Sequence, residues 1–183
     1  MGIRNYLIEG VSGTGKTSVA TELQRRGYHV IHGDRELAYQ GDPLTGERLD
    51  EAALRQNGQD VNFRHRHHIW NVGRVRSACA DRSHPITFFC GGSRNSGRFI
   101  DLFDAVFVLE IDLETLKGRL AGRADDEFGG KPAELNVVLR AHATREDLPD
   151  DAIGIDATQP LGSVVDDILW RCGEGDRAGT GRE

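Results

Sequence analysis

Eight consecutive residues, Gly10-Val11-Ser12-Gly13-Thr14-Gly15-Lys16-Thr17, satisfy the pattern GxxxxGK[ST] at every fixed position. That spacing binds anions: the glycines let backbone N–H groups turn inward around phosphates, the lysine reaches the β- and γ-oxygens, and the threonine hydroxyl can ligate Mg²⁺. The pattern also limits its surroundings, since it needs a strand before it and a helix N-terminus after it, whose dipole adds to the site. Both are legible. Tyr6-Leu7-Ile8 is an apolar run that predicts a buried strand, and 18–26, with Val19, Ala20 and Leu23 apolar, predicts a helix. A glycine-rich turn matching by chance would lack that order. Gly10, Val11, Ser12, Gly13, Thr14, Gly15, Lys16, Thr17 and Ser18 are therefore the expected contacts of a nucleoside triphosphate, with Thr17 on the metal.

Further β-type runs at 28–31, 86–90, 105–111 and 153–155 alternate with helical stretches. Such alternation predicts an α/β fold, a five-stranded parallel sheet covered on both faces. Between 36 and 82 the pattern shifts to helices and turns, with Gly41-Asp42-Pro43 as a turn and 61–80 as one long helix. This predicts an insertion over the sheet's carboxyl edge. The polar stretch 124–131, containing Gly129-Gly130, suits a short mobile lid that excludes water. Residues 173–183 carry glycine and charge, which predicts a disordered tail and leaves 1–172 as one domain.

A chain of 183 residues supports one full core, and a net charge of −6 argues against broad nucleic-acid affinity. Cys79, Cys90 and Cys172 are widely spaced without a CxxC pair, which suggests neither a disulfide framework nor a zinc site. No apolar run approaches the roughly 20 residues that span a bilayer, and nothing resembling a signal peptide precedes the first strand. A cytoplasmic protein is expected.

Other candidate residues fall at the carboxyl ends of strands, where ligands sit in such sheets. Asp34, in His32-Gly33-Asp34, is placed to take a proton from an acceptor hydroxyl, to hold Mg²⁺ through water, or to cap the helix that follows. Cys90-Gly91-Gly92-Ser93-Arg94 offers a guanidinium fork to phosphate, or simply a surface arginine in a turn. Arg119 and Arg123 share one helix face and either clamp a phosphoryl group or pair with Asp125, Asp126 or Glu127 in solvent. In the insertion, Phe63-Arg64-His65-Arg66-His67-His68-Ile69-Trp70 reads two ways. It lines an acceptor pocket that attracts phosphate or carboxylate and stacks Trp70 on a ring, or it packs Trp70, Val72 and Val75 and leaves the cations wet. His65 and His68, at i and i+3, have helical spacing for a metal but no obvious carboxylate partner. Tyr39 and Glu36-Leu37 are candidates to line the same pocket.

Taken in order over about residues 3 to 171, these segments resemble the P-loop kinases of small molecules, the superfamily containing adenylate kinase, shikimate kinase and gluconate kinase. Gly33-Asp34 resembles the strand-2 Gly-Asp of adenylate kinases, and Phe88-Phe89-Cys90-Gly91-Gly92-Ser93-Arg94 their strand-3 segment ending in an arginine that holds the acceptor phosphate. The stretch 103–123 is similar to their strand 4 and the helix leading to the lid, with its paired arginines. Residues 155–161 look like their adenine-packing loop, which implies base contacts through the backbone around Ala157 and Gln159. The implied fold is the three-layer α/β/α P-loop NTPase fold, with a helical acceptor-binding insertion and a short lid. The chain departs from the family where Cys90 replaces the strand-3 acid and His32 the threonine before Gly-Asp.

The resemblance implies an ATP- and Mg²⁺-dependent phosphotransferase acting on a small acceptor: a nucleoside, nucleotide or small metabolite. Lys16 would hold the phosphates, and Thr17 and Asp34 the metal. Asp34 would also orient and deprotonate the acceptor, while Arg94, Arg119 and Arg123 stabilise the transferring charge. Two alternatives stand beside it. One is a polynucleotide 5′-hydroxyl kinase using Arg64, Arg66, Arg74 and Arg76; the other is a nucleotide-binding switch, favoured by Cys90, that has no acceptor.

Overall fold

In the computed structural model, which describes residues 3–124 and 128–174, the first half of the chain runs β1 (Arg4–Glu9), α1 (Lys16–Arg25), β2 (His29–His32), α2 (Gly33–Glu36), β3 (Ala38–Gln40), α3 (Glu51–Asn57), α4 (Val61–Arg66), β4 (His68–Trp70) and α5 (Val72–Ala80). It continues through β5 (Ile86–Cys90), two 3₁₀ turns, β6 (Ala105–Glu110), α6 (Leu113–Ala121), α7 (Pro132–Thr144), β7 (Ile153–Asp156) and α8 (Leu161–Arg171). Five strands form one sheet in the order β2-β5-β1-β6-β7, and every neighbouring pair is parallel. This is the expected α/β sheet, with strand and helix ends shifted by a residue or two.

Strand periodicity divides the core between the two faces. Along β1, Tyr6 and Ile8 enter one buried cluster and Leu7 the other; along β5, Phe88 and Cys90 join the first and Phe89 the second. Successive strand side chains point to opposite faces, so each strand feeds both layers. The first cluster receives Val19, Ala20 and Leu23 of α1 and Val164, Val165, Ile168 and Leu169 of α8. The second takes Leu37, Trp70, Val75 and Phe99 from the insertion side. All five residues of β5 are buried, as a strand covered on both faces requires.

The single helix expected over 61–80 is instead two helices separated by a strand. α4 ends at Arg66, and β4 pairs antiparallel with β3 in the register Ala38↔Trp70, Tyr39↔Ile69 and Gln40↔His68. Asn71 then caps α5, its side chain accepting from the Arg74 amide at 2.9 Å. Ile69 and Trp70 are both fully buried. The ladder to β3 and the Ser93 and Asn95 side chains, which accept from the Trp70 amide, supply the backbone partners that a helix would otherwise have provided.

The packed chain also extends past 172. The Glu174 carboxylate, buried, pairs with Arg4 at 2.5 Å, and Arg4 also donates to the Cys172 carbonyl. The rest of the expected tail, 175–183, and the lid residues 125–127 lie outside the described residues. Among the described residues no helix is long and apolar enough to cross a membrane.

Candidate active site

The loop after β1 is braced from below. Gly15 stands at the N-cap of α1 with φ +105°, and Gly13 has φ +97°. Side chains rarely adopt that left-handed backbone, and a Cβ on Gly13 would lie 2.8 Å from Leu116 Cδ1 of α6. Buried Thr14 donates its hydroxyl to the Val11 carbonyl at 2.9 Å. Lys16 turns its ammonium inward, donating to the carbonyls of Gly10 and Val11. Burial lowers its pKa, while Asp34 and Glu9 act to raise it.

Arg119 and Arg123 both reach this loop, but not from one helix face as expected: α6 ends at Ala121, and Arg123 follows it in the connecting segment. Arg119 donates Nη1 to the Thr14 carbonyl at 2.9 Å and Nη2 to the Ala157 carbonyl at 2.7 Å. Arg123 donates to Ser12 Oγ at 2.7 Å and to the Phe128 carbonyl. The pairing with Asp125, Asp126 or Glu127 falls on residues outside those described. A cavity of about 940 Å³ runs from the loop, including Thr17 and Ser18, past Arg119 to Ala157 and Gln159. Phosphate loop and expected base loop therefore border one cleft.

A second cavity of about 550 Å³ lies between Glu9, Asp34, Gln40, Arg94 and the inner side of α7. The two cavities share Ser12, Lys16, Asp34 and Phe128. Asp34 does not cap α2, whose N-cap is His32 without a side-chain bond. Instead its Oδ1 accepts from the Gly92 amide at 3.1 Å and lies 3.2 Å from His68 Nε2. Burial opposes the charge on Asp34, but His68, Lys16 and the Gly92 amide outweigh it and hold the carboxyl below the usual range. An ionised carboxylate at the junction can accept a proton.

Asp34 is held in place by a close approach. A Cβ on Gly33 would fall 2.0 Å from Trp70 Cζ2, so only glycine lets the indole slide under the start of α2. Trp70 is fully buried and stacks on Phe99 with centroids 5.7 Å apart and planes 2° from parallel. It is a packing residue, and the reading that stacks it on an acceptor is overturned. Gly33→Ala should destabilise the fold by about 1–3 kcal/mol, the cost of forcing added volume into a packed core. Urea denaturation checks this; an unchanged midpoint would mean that the indole yields freely.

The other expected pocket residues divide. Tyr39 turns away, donating its hydroxyl to the Gly46 carbonyl at 2.6 Å, while Glu36 accepts from the His32 amide and Leu37 is core. Gln40, next along β3 and thus on the opposite face, enters the pocket instead. His65 on α4 meets Asp147 at 3.2 Å and His68 on β4 meets Asp34, so the helical i, i+3 metal geometry does not form. Burial, followed by Arg94 and Arg140, lowers the His65 pKa to about 4, which leaves the ring neutral at pH 7. Arg64 pairs with Glu134 of α7 at 3.0 Å, whereas Arg66, Arg74 and Arg76 are exposed on two separate helices rather than one run.

Two acids that the sequence did not single out are central. Glu9, 1% exposed, stands at the end of β1 on the Leu7 side, toward Arg94 and Lys16. Burial pushes its carboxyl up to about 7 against the pull of Arg94 and Lys16, and its Oε1 has no hydrogen-bond partner among the described residues. The strand's period of two from Leu7 was the available signal. Asp147 arrives from beyond α7, where Arg145 takes the left-handed conformation (φ +56°) and turns the chain back; it forms an ion pair with Arg94. Cys90 packs in the first core cluster, and burial pushes its thiol up to about 12. A neutral thiol supplies no substitute for the strand-3 acid.

The sequence pattern of an AAA domain family, AAA_18, matches residues 7–137, from β1 into α7. The chain belongs to this family. No curated protein sequence matches this AAA domain. Among solved structures it is similar to a sugar kinase from Janibacter sp. HTCC2649, at 20% identity and a TM-score of 0.58, covering 97% of this chain and 99% of that one. A shikimate kinase from Bacteroides thetaiotaomicron shares 15% identity at a TM-score of 0.60, covering 93% and 98%. A deoxyadenosine kinase from M. mycoides, solved with bound dATP, shares 13% at 0.57, covering 92% and 98%. At these identities the likeness is one of fold: this AAA domain has the α/β P-loop architecture seen in small-molecule kinases.

Proposed function

We propose that this AAA domain transfers the γ-phosphoryl group of ATP to a hydroxyl of a small-molecule acceptor. The observation that carries the reading is the meeting of two cavities at Lys16 and Asp34, one lined by the phosphate loop and the other by Glu9, Gln40 and Arg94. In-line transfer needs donor and acceptor on opposite sides of the phosphoryl group with a base beside the acceptor oxygen, and the junction offers that arrangement. The loop amides from Gly10 to Ser18, with Lys16, hold the phosphates, and Ala157 and Gln159 border the base. Asp34 accepts the hydroxyl proton. Arg123, within reach of the loop, stabilises transferring charge, and Arg119 fixes the loop against Ala157. Arg94 forms the acceptor wall.

Thr17 and Asp34 both border the nucleotide cleft, and their oxygens suit a hard cation, so they are the residues that would hold a Mg²⁺ ion. When bound, it would neutralise charge on the phosphates. The similar solved structures, kinases of a sugar, of shikimate and of deoxyadenosine, support a small acceptor over a polymer. The net charge of −6 supports the same preference, and a cytoplasmic setting, where ATP is supplied, agrees with this reading.

The competing reading, a switch without an acceptor, draws on Cys90 in place of the strand-3 acid. Mg²⁺-ATP turnover against nucleosides, nucleotides, sugars, small acids and a 5′-hydroxyl oligonucleotide separates the two. ADP production should rise with one acceptor class, and Lys16→Ala should lower it by at least about 10²-fold. Tight ATP binding with no acceptor-dependent turnover would favour the switch.

A further inference from the structure

Resting on the kinase reading, we infer that the acceptor pocket takes an uncharged, hydroxyl-bearing molecule, and that Asp147 sets this preference by occupying the anion seat on Arg94. A guanidinium fork at the end of a strand is a natural receptor for phosphate or carboxylate. Here the seat already has an occupant. The side chains of Arg94 and Asp147 are 16% and 14% exposed, and the left-handed turn at Arg145 directs Asp147 into the cavity.

Of the remaining basic side chains of the pocket, all but Lys131 are similarly committed, His68 lying against Asp34. Arg64 pairs with Glu134, which also accepts from the Gly129 amide at 3.0 Å; His65 lies against Asp147. Lys16 points into the phosphate loop, and Lys131 is exposed at the rim, where solvent screens it. An anionic acceptor would have to displace a built-in carboxylate while facing Asp34 and Glu134. Like charges brought together in a partly desolvated cavity repel strongly.

Unmet hydrogen-bonding capacity points to hydroxyls. Among the described residues, the buried polar atoms of this pocket without a hydrogen-bond partner are Glu9 Oε1, Gln40 Oε1, Arg94 Nε and the Arg94 Nη1 that Asp147 meets as an ion pair. A carboxylate or phosphate dianion only accepts and cannot satisfy the two oxygens. A hydroxyl donates and accepts, so several on one carbon skeleton can pair with Glu9, Gln40 and Arg94 together. Val137, Val138 and Ala141 of α7 give that skeleton an apolar wall.

The test uses the full chain, with the phosphate loop saturated by a non-hydrolysable ATP analogue and inorganic sulfate titrated calorimetrically. Asp147→Asn should bind sulfate at least about ten-fold more tightly than wild type, and adding Arg94→Gln should abolish the gain. Asp147→Ser replaces Asp147→Asn if the latter fails to fold. Turnover is then compared on matched pairs, a nucleoside with its 5′-monophosphate and a sugar with its sugar acid. Wild type should favour the neutral member in kcat/KM, and Asp147→Asn should shrink that preference by about ten-fold. Sulfate affinity equal in wild type and variant, or a wild-type preference for the anionic member, overturns the inference. The expected sulfate pattern with no turnover on any acceptor keeps the role of Asp147 and overturns the kinase reading alone.

Discussion

Asp34→Asn should lower acceptor-dependent phosphoryl transfer by about 10²- to 10⁴-fold, the range that a positioned general base contributes. Asparagine keeps the shape of the side chain and an oxygen for the Gly92 amide, which approaches Asp34 at 3.1 Å. It cannot take the hydroxyl proton. Lys16, Arg119 and Arg123 remain in place, so ATP affinity should change far less than the rate. Single-turnover kinetics with a parallel nucleotide titration separate the two quantities. Equal transfer rates would remove Asp34 from its assigned role, and an equal loss of ATP affinity and rate would make it a nucleotide-binding group only.

Glu9→Gln should raise stability at pH 8 by up to about 3 kcal/mol and leave it nearly unchanged at pH 4. The sign follows from burial, which pushes the carboxyl up to about 7 from an ordinary 4.5. Below 4.5 the group is protonated in both folded and unfolded chains. Between 4.5 and 7 the unfolded chain ionises first, so the fold loses stability as pH rises; above 7 the loss is complete. Glutamine carries no charge to desolvate and escapes that loss. Denaturant midpoints of the two proteins across pH 4–8 should diverge upward through this window. Parallel curves would mean that Lys16 and Arg94 hold Glu9 ionised in the fold. Higher stability together with weaker acceptor turnover would show the usual exchange between stability and function at a buried polar site.

The β1–loop–α1 unit was legible because its signals are local: an apolar run, fixed glycines and one helical face. The parallel sheet was legible for the same reason, as was Arg119 on α6; Arg123, expected on the same helix face, lies past the end of α6 at Ala121 and reaches the loop from the segment that follows. The insertion resisted because its decisive contacts are not local. His68–Trp70 is a strand only because Ala38–Gln40 lies beside it and Ser93 and Asn95 accept from the Trp70 amide. Tertiary pairing overrode the helical pattern. Asp147 carried no sequence signal, since its meaning depends on a left-handed turn at a non-glycine residue and on an arginine more than fifty residues earlier in the chain. Glu9 was nearer at hand, one residue beyond an apolar run and on the same side as Leu7, but a period of two does not tell whether a carboxylate at a strand's end is buried or solvated.

Arg119 joins the carbonyls of Thr14 and Ala157 through a single planar guanidinium. The loop after β1 and the loop after β7, proposed to hold phosphates and base, are thereby coupled mechanically, although they lie far apart along the chain. Neither can shift by much more than the reach of a hydrogen bond without drawing on the other. A nucleotide bound as proposed would meet a cleft of fixed span, its distance from phosphate to base set by the protein before the ligand arrives.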